Sequence, residues 1–325
     1  MIRTRLTEIL GIEHPVMLAG MGGVSYHQLV AAVSDGGGFG TFGAATLSTD
    51  MMLDEIAKLK EITDKPFSVD LLTAVGDMSE QASAAIDAGA TVYVGALGVP
   101  VELIDMCHRR GVLVVNMCGK VKHAVQAVEA GCDIVVAQGT EAGGHTGRVA
   151  TMPLVPQIVD AVGDKVPVVA AGGIVDGRGL AAALSLGADG IWVGTRFIAT
   201  PEARSTPGYK EALLRTAEDG TTVTRAYTGK TLRAIENSYT KYFEQHPDEL
   251  APFPNQVLRS TRDGAMNLGN NDWSRVDPEK ECYPAGQGVG AIDELIPAAD
   301  LVAKFVEEAE RALDRVGGFR GAAVR

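Results

Sequence analysis

Along the chain, short apolar runs alternate with longer amphipathic stretches. The runs are Pro15–Ala19, Phe39–Phe42, Phe67–Asp70, Val92–Val94, Leu113–Val115, Ile134–Gln138, Val168–Ala170 and Gly190–Val193. They are rich in Val and Ile and lack polar alternation, which marks strands buried on both faces. Between them, apolar residues recur at helical spacing in Tyr26–Asp35, Met51–Thr63, Glu80–Ala88, Val101–Arg110, Val121–Ala130, Leu154–Val162, Arg178–Leu186 and Tyr209–Ala217. Three of these segments end alike, in Asp87-Ala-Gly-Ala, Glu129-Ala-Gly-Cys-Asp and Ser185-Leu-Gly-Ala-Asp. Each places a glycine where a helix stops in a left-handed residue before the next strand. Strand-then-helix units in unbroken order predict a parallel sheet. Eight of them favour an α/β fold closed into a (β/α)8 TIM barrel over an open doubly wound sheet, the plainer alternative.

The repeating units stop near residue 200. Residues 1–200 therefore read as the barrel core, and 201–325 as the last barrel helix plus a helical lid packed on the barrel. Within the second part, Ala226–Gln245 is predicted helical, with Lys230–Asn237 carrying apolar residues at helical spacing. His246–Glu281 has little periodicity, Ala298–Val316 is a charged amphipathic helix, and Gly317–Arg325 reads as a frayed tail.

Composition narrows the function classes. A chain of 325 residues with 46% hydrophobic content supports one large core. Glycine is 39 of 325 residues, well above the usual level of about 7%. Glycine adds no packing, so the excess has to serve backbone geometry. The formal charge of −12 argues against a nucleic-acid or anionic-membrane surface, which needs clustered Lys and Arg. No long apolar stretch predicts a membrane span, and the charged N-terminus lacks the apolar core of a signal peptide, so a cytoplasmic protein is expected. Cys107, Cys118, Cys132 and Cys282 form no CxxC pair and read as reduced core or site cysteines.

The glycines cluster where a barrel of this kind carries its site, in the loops after the strands. Gly20-Met-Gly-Gly-Val follows the first strand, Gly139-Thr-Glu-Ala-Gly-Gly-His-Thr-Gly147 the sixth, Gly172-Gly173-Ile the seventh and Gly194-Thr195-Arg-Phe the eighth. The last two loops form the usual phosphate site of the fold, because backbone N–H groups reach phosphate oxygens only where no Cβ intrudes. Gly172, Gly173, Gly194 and Thr195 meet that requirement, and a phosphate ligand is expected there. The first loop lacks the full GxGxxG spacing and an acid at the ribose position, so it is no dinucleotide fingerprint.

Among the histidines, His145 alone is flanked by glycines on the active face, where an imidazole is presented to a ligand and titrates near neutrality. His14 and His246 sit beside prolines, and His27, His108 and His123 fall on helices expected outside the barrel. No second His or Cys stands at ligand spacing, so no metal site is expected. There is no Gly-x-Ser-x-Gly elbow.

These motifs carry a family resemblance. Ala137-Gln-Gly-Thr-Glu-Ala-Gly-Gly-His-Thr-Gly147, Ala170-Ala-Gly-Gly-Ile-Val-Asp-Gly177 and Val193-Gly-Thr-Arg-Phe197 resemble the nitronate monooxygenase (2-nitropropane dioxygenase-like) superfamily, which also contains the FabK-type enoyl-ACP reductase II. The resemblance starts at Arg3-Thr-Arg-Leu-Thr-Glu and Pro15-Val-Met-Leu-Ala-Gly-Met and runs on through Leu232-Arg-Ala-Ile-Glu-Asn237 and Ala285-Gly-Gln287. It implies a barrel with tightly bound FMN and a catalytic or substrate-orienting histidine at His145. The flavin contacts it implies map onto Ala19, Gly20, Met21, Gln138 and Gly144, with Gly172, Gly173, Gly194 and Thr195 around the phosphate. The end of the third strand departs from the pattern: Asp70 stands where these relatives usually have Asn. An ionised Asp only accepts hydrogen bonds, so Asp70 would change how the flavin edge or a ribityl hydroxyl is held. The stretch Val16–Ser25 is also similar to the IpdC-type acyl-CoA oxidoreductases of actinobacterial steroid-ring degradation.

The resemblance implies NAD(P)-linked hydride transfer at the Cα–Cβ bond of an acyl-CoA thioester, with NAD(P)H as co-substrate and His145 orienting the thioester or moving its α proton. Arg204, Lys210 and Arg215 are candidates for the phosphates of the CoA. Oxidation of alkyl nitronates by O₂ is the alternative chemistry, and a barrel binding a phosphorylated ligand without redox chemistry is the alternative of another class. Oligomeric state is open, a homodimer being one reading.

Overall fold

The structure is a computed structural model and describes residues 2–72, 77–267 and 273–319. Its strands, in chain order, are β1 (Val16–Leu18), β2 (Gly40–Gly43), β3 (Phe67–Leu72), β4 (Val92–Ala96), β5 (Leu113–Cys118), β6 (Ile134–Gln138), β7 (Gly144–His145), β8 (Val168–Ala171), β9 (Gly190–Val193), β10 (Thr221–Thr224) and β11 (Leu232–Ile235). β1 to β6, β8 and β9 form one parallel sheet in sequence order. Its two edges meet: β1 pairs with β9, Leu18 opposite Val193, and a bridge from Met17 to Phe39 ties β1 to the approach to β2. This is the (β/α)8 TIM barrel expected from the eight runs.

Strand parity explains why those runs are unbroken. Met17, Val92, Val94, Val115, Ile134, Val136, Val169, Ala171 and Trp192 point into the barrel and pack on one another. Residues of the other parity, among them Leu18, Val69, Val114, Val135 and Ile191, pack outward under the helices. Each such side chain, fully buried, contributes about 1.5–3 kcal/mol. Leu6 and Leu10 of α1 (Arg5–Leu10) join the interior cluster and close the barrel's N-terminal end. α1 is pinned there by Thr4, whose hydroxyl donates to Asp189 O at 2.6 Å, and by the Arg5–Asp189 ion pair at 2.8 Å.

The outer layer consists of α2 (His27–Asp35), α3 (Thr49–Ile62), α4 (Ser79–Asp87), α5 (Val101–Arg109), α6 (Val121–Glu129), α7 (Thr151–Val162) and α8 (Gly177–Ser185). Gly89, Gly131 and Gly187 take the left-handed φ that the sequence required after α4, α6 and α8. Then come the single turn α9 (Thr195–Ile198), α10 (Pro207–Arg215), α11 (Ser238–Gln245), α12 (Asn255–Arg262) and α13 (Ala298–Gly318). The helix expected at Tyr209–Ala217 forms as α10, but it packs on the turn at Gln287–Ala291. The place between α8 and α2 is taken by α13. Glycines permit that docking: a Cβ on Gly177 would stand 2.3 Å from Phe305 O, and one on Gly36 2.8 Å from Ala299 Cα. Of the tail expected from Gly317 onward, residues 317 and 318 still belong to α13, and 320–325 lie outside the described residues.

The extension is not purely helical. The helix expected over Ala226–Gln245 begins only at Ser238, and Leu232–Ile235 is the central strand of a small antiparallel sheet ordered β10-β11-β7. All four β11 residues are buried, so they show no alternation, and a short apolar run of that kind is not told from helix by periodicity alone. Asn237 caps α11, accepting from the backbone N–H groups of Tyr239 and Thr240 at 3.1 Å. Among the described residues, no helix is long and apolar enough to cross a membrane.

Candidate active site

A cavity of about 940 Å³ opens at the C-terminal ends of the barrel strands. Its size lies at the upper end of the range for small-molecule and cofactor sites. Trp192 stands in its floor, and the loops after β1, β2, β4, β5, β6, β8 and β9 form its wall together with the end of β3 and residues of the extension. Ala19, Gly20, Met21, Asp70, Gln138, Gly144, His145, Gly172, Gly173, Gly194 and Thr195 all line it.

At one end the wall is bare backbone. Gly172 and Gly173 follow β8 with φ of +110° and +72°, a region that L side chains adopt only under strain. A Cβ on Gly172 would lie 2.7 Å from Thr151 Oγ1, 3.1 Å from Gly139 O and 3.2 Å from Ala142 N. Around Gly194 a Cβ would meet only Met21 Sδ at 3.3 Å and Ala19 Cβ at 3.4 Å. Gly286 N–H donates to Thr195 Oγ1 at 3.0 Å, so the loop that precedes the last helix is fastened to this end.

His145 reaches the cavity as part of a sheet. β7 pairs with β11, with His145 opposite Leu232 and Gly144 opposite Arg233. Gln138 Nε2 donates to His145 O at 2.6 Å, and Arg233 Nε donates to Thr140 O at 2.9 Å, so the loop is braced at both ends. Gln138 therefore spends its amide nitrogen on the histidine loop. His145 Nε2 lies 3.0 Å from Thr228 Oγ1. Burial, and after it the charge of Lys230, pushes the imidazole pKa down to about 4. The ring is thus neutral at ordinary pH, in contrast to the near-neutral titration expected from its position in the sequence.

Asp70 is the inward-pointing residue at the end of β3, in register with Gly43 and Val94. Its Oδ1 is buried with no hydrogen-bond partner among the described residues, and a Cβ on Gly20 would stand 2.3 Å from Asp70 Oδ2. Burial raises its pKa to about 8, so the group is a neutral carboxylic acid able to donate as well as accept. In this protonated form it recovers the donor that Asn would supply. Between about pH 4 and 8 the folded protein holds this proton and the unfolded chain does not, so stability falls as pH rises through that window. Asp70→Asn is expected to remove this slope and to stabilise the flavin-free protein at pH 8 by a few kcal/mol, at about 1.4 kcal/mol per pKa unit. Chemical unfolding at pH 5 and pH 8 measures it, and identical slopes in both proteins contradict the burial account.

Several cavity residues carry no signal in the sequence. Glu281 is buried, accepts from Asn267 N–H at 2.9 Å through Oε1, and is raised by burial to about 7. Lys230, Lys120 and His123 also line the wall, as do Cys118 and Cys282, two of the cysteines expected in the core or the site, and burial raises the Cys118 thiol to about 11. His123 lies on α6, as expected, yet faces the mouth. Of the cations expected to meet phosphates, only Arg204 reaches the cavity, with its guanidinium 4.7 Å from the centre of the Tyr26 ring. Lys210 donates instead to Thr200 O at 2.6 Å, and Arg215 pairs with Glu211 on the surface of α10. Among the described residues no cluster of three or more His, Cys, Asp or Glu is placed to hold a metal ion, and all four cysteines are buried free thiols.

A profile of the nitronate monooxygenase family matches residues 3–308. The chain belongs to the nitronate monooxygenase family. A Mycobacterium tuberculosis protein named (3aS,4S,5R,7aS)-5-hydroxy-7a-methyl-1-oxo-octahydro-1H-indene-4-carboxyl-CoA dehydrogenase is 41% identical, over 95% of this chain and 96% of that one. A probable nitronate monooxygenase of Staphylococcus saprophyticus is 33% identical, over 85% of this chain and 91% of its own length. Among solved structures, FabK from Thermotoga maritima superposes with a TM-score of 0.88 at 31% identity, covering 98% of this chain and all of that one. This member of the nitronate monooxygenase family is an oxidoreductase, and the non-redox phosphate-binding reading falls.

Proposed function

We propose that this oxidoreductase uses FMN in NAD(P)-linked hydride transfer at the Cα–Cβ bond of an acyl-CoA thioester, the acyl group deriving from steroid-ring degradation. The observation that carries this reading is the carboxyl-CoA dehydrogenase of M. tuberculosis, 41% identical over nearly the whole of both chains. The charge of the cavity agrees with it. In a chain of net charge −12, the wall carries Lys120, His123, Arg204 and Lys230, and burial raises the pKa of Asp70 and Glu281, the two carboxyl groups among its described residues. A polyphosphate substrate is drawn to such a mouth.

FMN is supported by family membership, and the residues present fit it. Gly172, Gly173, Gly194 and Thr195 would hold the phosphate through backbone N–H groups, and Ala19, Gly20, Met21 and Gly144 would pack against the flavin. Asp70, whose Oδ1 lacks a partner among the described residues, and Gln138 would meet its polar atoms. The bound flavin supplies hydride acceptance and return, which no side chain of the cavity provides. His145, buried and neutral, would orient the thioester carbonyl by a hydrogen bond. A base with a pKa near 4 is a poor proton acceptor at neutral pH, so the orienting role is the stronger one. Lys120, His123 and Arg204 would receive the CoA phosphates at the mouth.

The S. saprophyticus relative supports a second reading, nitronate oxidation by O₂ with His145 as partner to the nitronate anion. Anaerobic spectra of the flavin separate the two. NADH or NADPH is expected to bleach it, and a cognate enoyl-CoA to restore the band. If propionate 3-nitronate bleaches the flavin and neither nicotinamide does, the thioester reading fails.

A further inference from the structure

Thr228, Gly229 and Lys230 form a tight turn between β10 and β11, opposite His145. Gly229 takes φ +79°, and a Cβ there would stand 2.7 Å from Phe253 N and 2.8 Å from Ala251 O. The turn is therefore fixed against the segment beneath it. Thr228 is buried, and its Oγ1 gathers three contacts: His145 Nε2 at 3.0 Å, Lys230 N–H at 3.2 Å and Lys230 O at 3.2 Å. Lys230 is half-buried, its Nζ 4.3 Å from the centre of the Phe253 ring, and it lines the cavity beside His145. Strand pairing of β7 with β11 sets the distance between the two parts.

We propose that this turn makes His145 and Lys230 a two-point holder for a planar oxyanion on the substrate: Thr228 donates its hydroxyl to His145 Nε2, leaving Nδ1–H to donate into the cavity, while the Lys230 ammonium supplies the charge. Thr228 is a positioning residue, acting through the ring; Lys230 meets the anion itself. The chemistry is shared by an enolate oxygen of a thioester and by a nitronate, so the inference rests on the oxidoreductase reading of the site but not on either substrate. Three features of the site agree. The hydroxyl has one proton and two acceptors in reach, Lys230 O at 3.2 Å and the ring nitrogen at the shorter 3.0 Å, while the N–H of Lys230 donates into the same oxygen and polarises it. The ring stays neutral, and the charge acting on it is that of Lys230. A fixed donor beside a half-buried cation favours an anion that develops during reaction more than it favours a neutral carbonyl.

Histidine-labelled holoenzyme tests this by nitrogen NMR at neutral pH. The wild-type protein is expected to show His145 as the Nδ1–H tautomer. Thr228→Val loses that preference and Thr228→Ser keeps it. Lys230→Gln moves the His145 titration upward, while Lys230→Arg leaves it low. Titration with nitrate, a planar oxyanion, shifts the His145 signals, and Lys230→Gln weakens nitrate on the order of tenfold or more, with Lys230→Arg within about threefold. An Nε2–H tautomer in the wild type, an unchanged tautomer in Thr228→Val, or an unchanged nitrate affinity in Lys230→Gln overturns the proposal. Propionate 3-nitronate and acetoacetyl-CoA, titrated in the same way, identify the oxyanion held: weakening of either by Lys230→Gln supports the proposal, and weakening of neither overturns it. None of these readouts needs nicotinamide turnover, so failure of the thioester reading leaves them intact.

Discussion

Replacing His145 with alanine is expected to lower turnover on the order of 10²–10³-fold while flavin content stays unchanged, the usual loss when one fixed hydrogen bond to a developing oxyanion is removed. The expectation follows from geometry. The ring is fixed by Thr228 at 3.0 Å, and the loop by Gln138 at 2.6 Å, so the wild-type donor needs no reorganisation. The protein backbone around it survives the change, because β7 is held to β11 by main-chain pairing rather than by the imidazole. The pH profile carries a second expectation. With a folded pKa near 4, His145 stays neutral as pH rises from about 5 to 8, so no limb from this residue appears there. Its limb lies near pH 4, where the ring gains a proton. Steady-state rates of both proteins across that range decide it: a limb near the ordinary histidine value that vanishes in His145→Ala would mean the ring is exposed and charged.

The second large effect lies at the other end of the cavity. Gly172→Ala is expected to weaken FMN by on the order of a hundredfold, from about 2–3 kcal/mol of backbone strain and displacement. The added methyl lands 2.7 Å from Thr151 Oγ1. That hydroxyl is committed to Glu141 Oε2 and Gly172 O, each at 3.0 Å, so it has no free direction in which to yield. Gly187→Ala is the control. It carries comparable strain at φ +92°, with Val159 Cγ1 2.8 Å from the new methyl, but it sits after α8, away from the cavity. Both variants should lose stability, and only Gly172→Ala should release flavin on ultrafiltration. Equal release from the two would refer the effect to folding.

The barrel was legible because the periodic signal and the architecture coincide. A strand buried on both faces gives an unbroken run, and each glycine stop marks the way into the next strand. That Gly172, Gly173 and Gly194 line the cavity was legible for the same reason, since they stand at fixed offsets from strands already placed. The extension was not. Leu232–Ile235 is buried throughout by its two neighbours in the sheet, and its apolar residues fit helical spacing equally well. Which helix lies between α8 and α2 depends on the path of the chain, and α10 and α13 are both amphipathic. Lys230 and Glu281 reach the cavity, and Thr228 reaches His145, from segments with no repeat to anchor them. Lys210 and Arg215 looked as basic as Arg204, and only the direction of α10 separates them.

The helix between α8 and α2 is also made after every strand of the barrel. Before residues 298–318 emerge from the ribosome, all eight barrel strands and the Gly172–Gly173 loop are already made, yet α2 and α8 lack the apolar face of α13, including Leu301, Phe305 and Ala309. Domains fold as units, N-terminal parts first, and exposed apolar surface in a partly made chain invites aggregation. Translation thus leaves the barrel unsealed along one seam until α13 is made, and a stop codon before residue 298 should yield a chain recognised by chaperones and proteases rather than a slower enzyme.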